Sequence, residues 1–149
     1  MEIKLFPLDE SLSFWMYRTH TQGTNLLRRT FQTEGYDLTP EQCGVLVRLR
    51  EFQGINQSQL GKKLFKDRHN MTRILNLLEK LGYIERRADE TDKRIYRVFL
   101  TENGKAACDK LTPIIFDHLQ YVFEGISEED LKALQRTLEQ MVNNIERRS

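Results

Sequence analysis

Between Asp67 and Leu81, the residues Met71, Ile74, Leu75, Leu78 and Leu81 recur at the spacing that lines one side of an α-helix. The opposite side is polar and partly basic, with His69, Thr72, Arg73, Asn76 and Lys80, and with Arg68 and Asn70 near the N-terminal end. Asp67 suits the cap of such a helix and Gly82 its end. A helix of this kind hides its back in a core and offers hydrogen-bonding groups in front, so its neighbours decide what it serves.

Upstream, Asn56-Gln57-Ser58-Gln59 reads as a capped start for a short helix whose buried side is Leu60, Leu64 and Phe65. Before that, Thr39-Pro40-Glu41-Gln42 combines an N-cap threonine, a first-turn proline and a capping-box glutamine. Val45, Leu46, Leu49 and Phe52 continue the period, and Gly54 interrupts it. Downstream of Gly82, Tyr83–Arg87 and Ile95–Leu100 flank the polar run Ala88–Arg94, the pattern of a two-stranded hairpin with a long charged tip. The ribbon must pack on the helices, through Tyr96, Val98 and Leu100 or through Ile95 and Phe99.

Longer helices flank this module. One runs from about Asp9 to Glu34 and closes at Gly35, and another runs from about Thr101 to Glu124, broken or bent near Pro113. The last opens at Ser127 and carries the stripe Leu131, Leu134, Leu138, Met141, Val142 and Ile145, more than a small domain readily covers alone. The expected fold is therefore mainly α, a winged helix-turn-helix with a small β-hairpin wing and long N- and C-terminal helices. The 149 residues suit one domain, and the N-terminus lacks a leader pattern or a membrane span, so a cytoplasmic protein without membrane contact is expected.

Charge sharpens the functional reading. The net charge is only +1, yet residues 61–97 carry +5 and the remainder carries −4. A basic middle beside acidic ends suits a chain whose centre meets a polyanion. Duplex DNA needs two kinds of contact, base-edge hydrogen bonds from a groove helix and cations that hold phosphates in register. Arg73 and Asn76 are the leading base-contact candidates, because arginine pairs with guanine and asparagine with adenine through two hydrogen bonds. Arg68, His69, Asn70 and Thr72 lie close enough to contribute. Lys62, Lys63, Lys66, Lys80, Arg86 and Arg87 are candidate phosphate contacts, and Arg94, in a wing tip with Asp92 and Lys93, reaches toward the minor groove.

Competing readings are weaker. A lone helix with two or three cations is ordinarily a solvated face, and the order of the neighbouring elements lifts this one above that default. An enzyme needs a convergent set of catalytic groups, but His20, His69 and His118 stand far apart, and phosphate-loop and nucleophile-elbow motifs are missing. A protein-binding winged helix would be expected to show aromatic anchors on the polar face. No cofactor is expected. A metal- or redox-responsive regulator of the same fold stays open, although Cys43 and Cys108 lie singly in helical segments and read as buried, inert thiols.

The chain resembles the MarR family of transcription regulators through residues 35–42 (GYDLTPEQ), 56–64 (NQSQLGKKL), 70–86 (NMTRILNLLEKLGYIER) and 92–104 (DKRIYRVFLTENG). The last match is the most specific, with Asp92, Arg94, Leu100, Thr101 and Gly104 standing at the family's wing and helix-opening positions. The resemblance implies a single domain over 1–149, with dimerisation helices at about 1–35 and 105–149 and the winged module at about 39–104. It implies a homodimer on a pseudo-palindromic operator, with Ile3, Leu5, Phe6, Leu134, Leu138, Met141, Val142 and Ile145 at the interface. It also implies a repressor released by a small aromatic or phenolic effector, with Trp15, Tyr17, Arg18 and His20 as pocket candidates. The first-helix cysteine of some oxidant-sensing relatives has no counterpart here.

Overall fold

The computed structural model describes residues 10–149 as six α-helices and three short strands in the order α1 (Leu12–Thr33), α2 (Pro40–Leu49), β1 (Ile55–Asn56), α3 (Gln57–Lys63), α4 (Arg68–Lys80), β2 (Ile84–Ala88), β3 (Tyr96–Leu100), α5 (Glu102–Val122) and α6 (Glu128–Glu146). They divide into two compact units, one ending at Asp117 and one from His118 to Ser149.

Helix starts follow the side chains that can satisfy free backbone N–H groups. Ser11 caps α1, accepting from the Phe14 N–H, so the helix begins slightly later than the expected Asp9, which itself lies outside the described residues. Thr39 and Gln42 close both halves of a capping box on α2. Asn56 caps α3, Asp67 caps α4 and Ser127 caps α6. Gly35 and Gly82 hold φ of +86° and +79° after α1 and α4, the left-handed geometry that stops a helix most cheaply without a Cβ.

The core of the first unit gathers Phe31 from α1, Cys43, Val45, Leu46 and Leu49 from α2, Leu60 from α3 and Met71, Ile74, Leu75 and Leu78 from α4. Leu38 before α2, Ile84, Val98 and Leu100 from the sheet and Ala107, Cys108 and Leu111 from α5 complete it. Gly61 and Gly104 are small for steric reasons. A Cβ on Gly61 would stand 3.2 Å from the Lys66 carbonyl oxygen, and one on Gly104 would stand 1.9 Å from that of Tyr83. The second clash is with backbone, so the start of α5 can rest on the β2 entry only through glycine. Thr101 completes that junction, donating its hydroxyl to the Gly82 carbonyl and accepting from the Gly104 N–H.

Several expectations need correction. The expected wing hairpin forms, with Ile84–Ala88 antiparallel to Tyr96–Leu100, but it is not alone, because Ile55 and Asn56 pair antiparallel with Val98 and Arg97 and make a three-stranded sheet ordered β1-β3-β2. Val98 and Leu100 face the core, whereas Tyr96 lies beyond its edge and is half exposed. Leu81, at the C-cap of α4, is 44% exposed because the apolar row ends one turn earlier. Phe65 is 84% exposed and adopts φ of +52°, since it occupies the left-handed turn between α3 and α4 that aims its ring outward. Phe52 follows α2 in a turn and still packs on the core. Pro113 does not break α5, which is continuous through it. A proline removes its own N–H from the helix ladder and crowds the carbonyl four residues earlier, and here both residues, Pro113 and Asp109, are on an exposed side.

The second unit contains the end of α5 and all of α6. No residue of α6 is buried, and Leu134, Leu138, Val142 and Ile145 of the anticipated stripe are 39–65% exposed. No helix among the described residues is long and apolar enough to cross a membrane.

Candidate nucleic-acid interface

The close crossing at Gly61 sets α4 against α3, and the sealed apolar back of α4 leaves its polar side outward. Arg68, His69, Arg73, Asn76 and Lys80 are exposed, whereas Asn70 and Thr72 are half-buried. Hydrogen bonding then separates the expected base-contact residues further. The Thr72 hydroxyl donates to the Arg68 carbonyl (2.8 Å) and accepts from Gln57 Nε2 (3.1 Å), which ties α4 to α3. Asn70 Nδ2 donates to Glu41 Oε1 (3.1 Å) and its Oδ1 accepts from Arg73 (2.7 Å), so both ends of the amide are engaged. Asn76 Oδ1 accepts from Arg86 (2.6 Å), leaving its Nδ2 as the outward donor. A two-bond pairing of Asn76 with adenine uses that oxygen as well, through the lone pair that the Arg86 contact leaves over.

The phosphate candidates also differ. Lys62, Lys63 and Lys80 are exposed, with Lys63 standing 4.9 Å over the Phe52 ring. Lys66 donates to Glu41 Oε1 (2.8 Å) across to α2. Arg86 is largely enclosed, gripped by Glu79 and Asn76, and Arg87 pairs with Glu85 while lying 4.4 Å over the Phe99 ring. Lysine or arginine hydrogen bonds hold Glu41 and Glu79 below the usual carboxylate range, Lys66 acting on the first and Arg86 on the second.

The wing tip is built around Asp89, a residue the sequence analysis did not single out. Asp89 Oδ1 accepts from the Thr91 hydroxyl (2.7 Å), the Thr91 N–H (2.9 Å) and the Asp92 N–H (3.1 Å), and its Oδ2 accepts from Arg97 (2.5 Å). Arg97 also donates to the Gly54 carbonyl (2.9 Å), tying the tip to the loop before β1. These bonds, those from Thr91 foremost, hold the Asp89 carboxyl far below its ordinary range. The spacing of Asp89 and Thr91 is a turn signal that could have marked it, whereas Glu41 reads only as a first-turn acid of α2. Beyond this hub, Asp92 grips Arg94 with both oxygens at 3.1 Å, while the Arg94 side chain stays 91% exposed and Lys93 is exposed beside it.

Between these parts lies a concavity of about 440 Å³. Asn56, Gln57 and Ser58 at the start of α3, Lys62, Lys66, Arg68 and the wing residues Arg94, Ile95 and Tyr96 line it together with Gly61 and Met71. Of its four cations, Lys66 is paired with Glu41 and Arg94 with Asp92, while Lys62 and Arg68 are exposed.

The remaining candidates behave differently. On α1, Arg18 stacks on Trp15 at 5.3 Å, but at about 100° per residue Tyr17 and His20 leave from the other side of the helix, so the four do not converge. Ile3, Leu5 and Phe6 lie outside the described residues. Cys43 and Cys108 are buried, and burial pushes the Cys43 thiol up to about 12 and raises Cys108 as well, which disfavours the reactive thiolate.

Fold and surface together define a winged helix-turn-helix protein of the kind that regulates transcription. The MarR family model matches residues 36–95, the span from the approach to α2 to the tip of the wing. An uncharacterized HTH-type transcriptional regulator of Bacillus cereus is 34% identical over 115 residues, 76% of each chain. The HTH-type transcriptional regulator SarZ of Staphylococcus haemolyticus is 29% identical over 97% of this chain and 95% of its own. Among solved structures, a probable transcriptional regulator from Pseudomonas aeruginosa superposes with a TM-score of 0.82 at 26% identity, covering 91% of this chain and 99% of that one. A cysteine-to-serine mutant of E. coli MarR complexed with operator DNA gives 0.82 at 26% identity over 92% and 97%. The chain belongs to the MarR family of transcriptional regulators.

Proposed function

We propose that this regulator binds a pseudo-palindromic DNA operator as a homodimer and represses the promoter it covers. The observation that carries the reading is the outward side of α4, where Arg68, His69 and Arg73 stand exposed beside the cationic concavity and the projecting Arg94. In the major groove, α4 presents Arg73 and Asn76 to base edges, with Arg68 and His69 near the same floor. Lys62, Lys63 and Lys80 hold phosphates, and the wing carries Arg94 to the neighbouring minor groove. The operator-bound likeness of E. coli MarR supports this placement, and blocking a promoter is the simplest consequence of occupying it.

The exposed stripe of α6 supports a homodimer, because an apolar row of this length facing water is stabilised by a second copy. A two-fold dimer then places its half-sites about one helical turn apart. Release by a small aromatic acid belongs to the same reading. Trp15 offers a ring face and Arg18 a cation, and quenching of Trp15, the only tryptophan, during benzoate titration measures binding there.

Fluorescence-anisotropy titrations with duplexes selected from genomic fragments, repeated at several salt concentrations, test the DNA reading. Arg73→Ala is expected to relax preference at one position per half-site. Arg94→Ala is expected to weaken all binding and lower the salt slope by about one. Unchanged affinity and preference in both variants would remove α4 and the wing from the interface.

A further inference from the structure

We propose that Glu41, on α2 and outside the reading helix, is the positioning residue that sets where the Arg73 guanidinium points, acting through Asn70, and thereby fixes base preference at one position of each half-site. The inference rests on the operator-binding reading above and adds a residue to it.

A carboxylate can only accept, and Glu41 Oε1 receives both Lys66 Nζ (2.8 Å) and Asn70 Nδ2 (3.1 Å). That contact decides which way round the Asn70 amide sits, since its nitrogen must face the carboxylate. Its oxygen must then face the other way, where it receives Arg73 at 2.7 Å. Arg73 is thus held by one of its five N–H groups and keeps the others for a base edge. Glu41 Oε2 lies 4.0 Å from the same guanidinium, close enough to attract it without replacing the asparagine contact. The relay joins α2, the turn before α4 and two successive turns of α4. A guanidinium held at one orientation loses less freedom when it meets guanine than one that sweeps through solvent.

Glu41 also places a negative charge beside Lys66 and Arg73, on the face that would meet the duplex. Its presence weakens attraction to any duplex, regardless of sequence. A side chain kept only for stability would lower all binding when removed. A positioning residue at this place gives the opposite pair of effects, tighter indiscriminate binding and poorer discrimination.

The test compares wild type, Glu41→Ala and Glu41→Gln on the selected operator, on duplexes changed at each base pair, and on a random duplex. Glu41→Ala is expected to bind the random duplex several-fold more tightly, with a steeper salt slope. At the base pair read by Arg73 its discrimination falls by about fivefold or more, while other positions hold. In an Arg73→Ala background, Glu41→Ala is expected to change discrimination at that position no further, the signature of one coupled unit. Glu41→Gln keeps the shape and removes the charge, so it gains random-duplex affinity and, with an amide that can turn over, loses part of the discrimination; it decides the matter if the alanine variant does not fold. Equal weakening on every duplex, unchanged discrimination, or additive losses in the double variant overturn the proposal. A wild-type protein that ignores all duplexes overturns the operator-binding reading itself, a result separate from failure of the Glu41 relay.

Discussion

Helices α4 and α6 carry the same kind of sequence and meet different fates. Each opens on an oxygen-bearing cap, Asp67 or Ser127, and each repeats apolar residues at three-and-four spacing. In α4 that row is sealed, with Met71, Ile74, Leu75 and Leu78 at 0–1% exposure against the rest of the first unit. In α6 no residue is buried, and Leu134, Leu138, Val142 and Ile145 face outward. Periodicity therefore tells which side of a helix seeks cover, whereas what supplies the cover depends on how much chain surrounds it. For α4 it is the same polypeptide. For α6 the proposed cover is a second copy, so the two rows should respond differently to substitution.

The largest expected effect is in α4. Leu75→Ala should lower the unfolding free energy by about 2–5 kcal/mol, read from urea titrations, because the closely packed surroundings cannot collapse into the space left. A loss below about 1 kcal/mol would mean that this face is less tightly packed than its burial indicates. Next is α6, where Leu138→Glu should weaken self-association by about thirtyfold or more in sedimentation while the helical circular dichroism of the winged unit persists. A dimer that survives this change would break the comparison, since the exposed row would then have no role in pairing. The smallest effect sharpens the picture of the wing. Asp89 titrates lower in the folded wing than in the unfolded chain, so its stabilisation is present above the unfolded carboxyl range near about pH 4 and is lost as pH falls through the folded value. Asp89→Asn should remove that part of the acid dependence, and an identical pH profile would show that the tip bonds contribute nothing to it.

The site was partly legible before the fold was known. Helical arithmetic separated the front of α4 from its back, and it placed Arg68, His69, Arg73 and Asn76 on the outward side where the structure has them. The same arithmetic could not show that Asn70 and Thr72 are engaged within the protein. Their partners, Glu41 and Gln57, lie 29 and 15 residues away, and Arg86 reaches Asn76 from ten residues beyond. Nor could it reveal Glu41 as a hub, since a first-turn acid looks the same whether it serves only its helix or grips a lysine and an amide on neighbouring turns.

Local chemistry written into the chain determined where most helices begin and end. A capping oxygen, a first-turn proline or a glycine free to take positive φ acts within a few residues, and Thr39, Pro40, Asn56, Asp67 and Gly82 all act at that range. The fold alone decided that Ile55 and Asn56 would become a third strand, because two residues carry no period and pair only once β3 lies alongside. It likewise chose Val98 and Leu100 over Ile95 and Phe99 for the core, turned Phe65 outward, and joined Asp89 to Arg97 and Arg97 to Gly54. Strand pairing, burial and polar partnership join groups far apart along the chain, and their energies exist only after folding has brought those groups within reach.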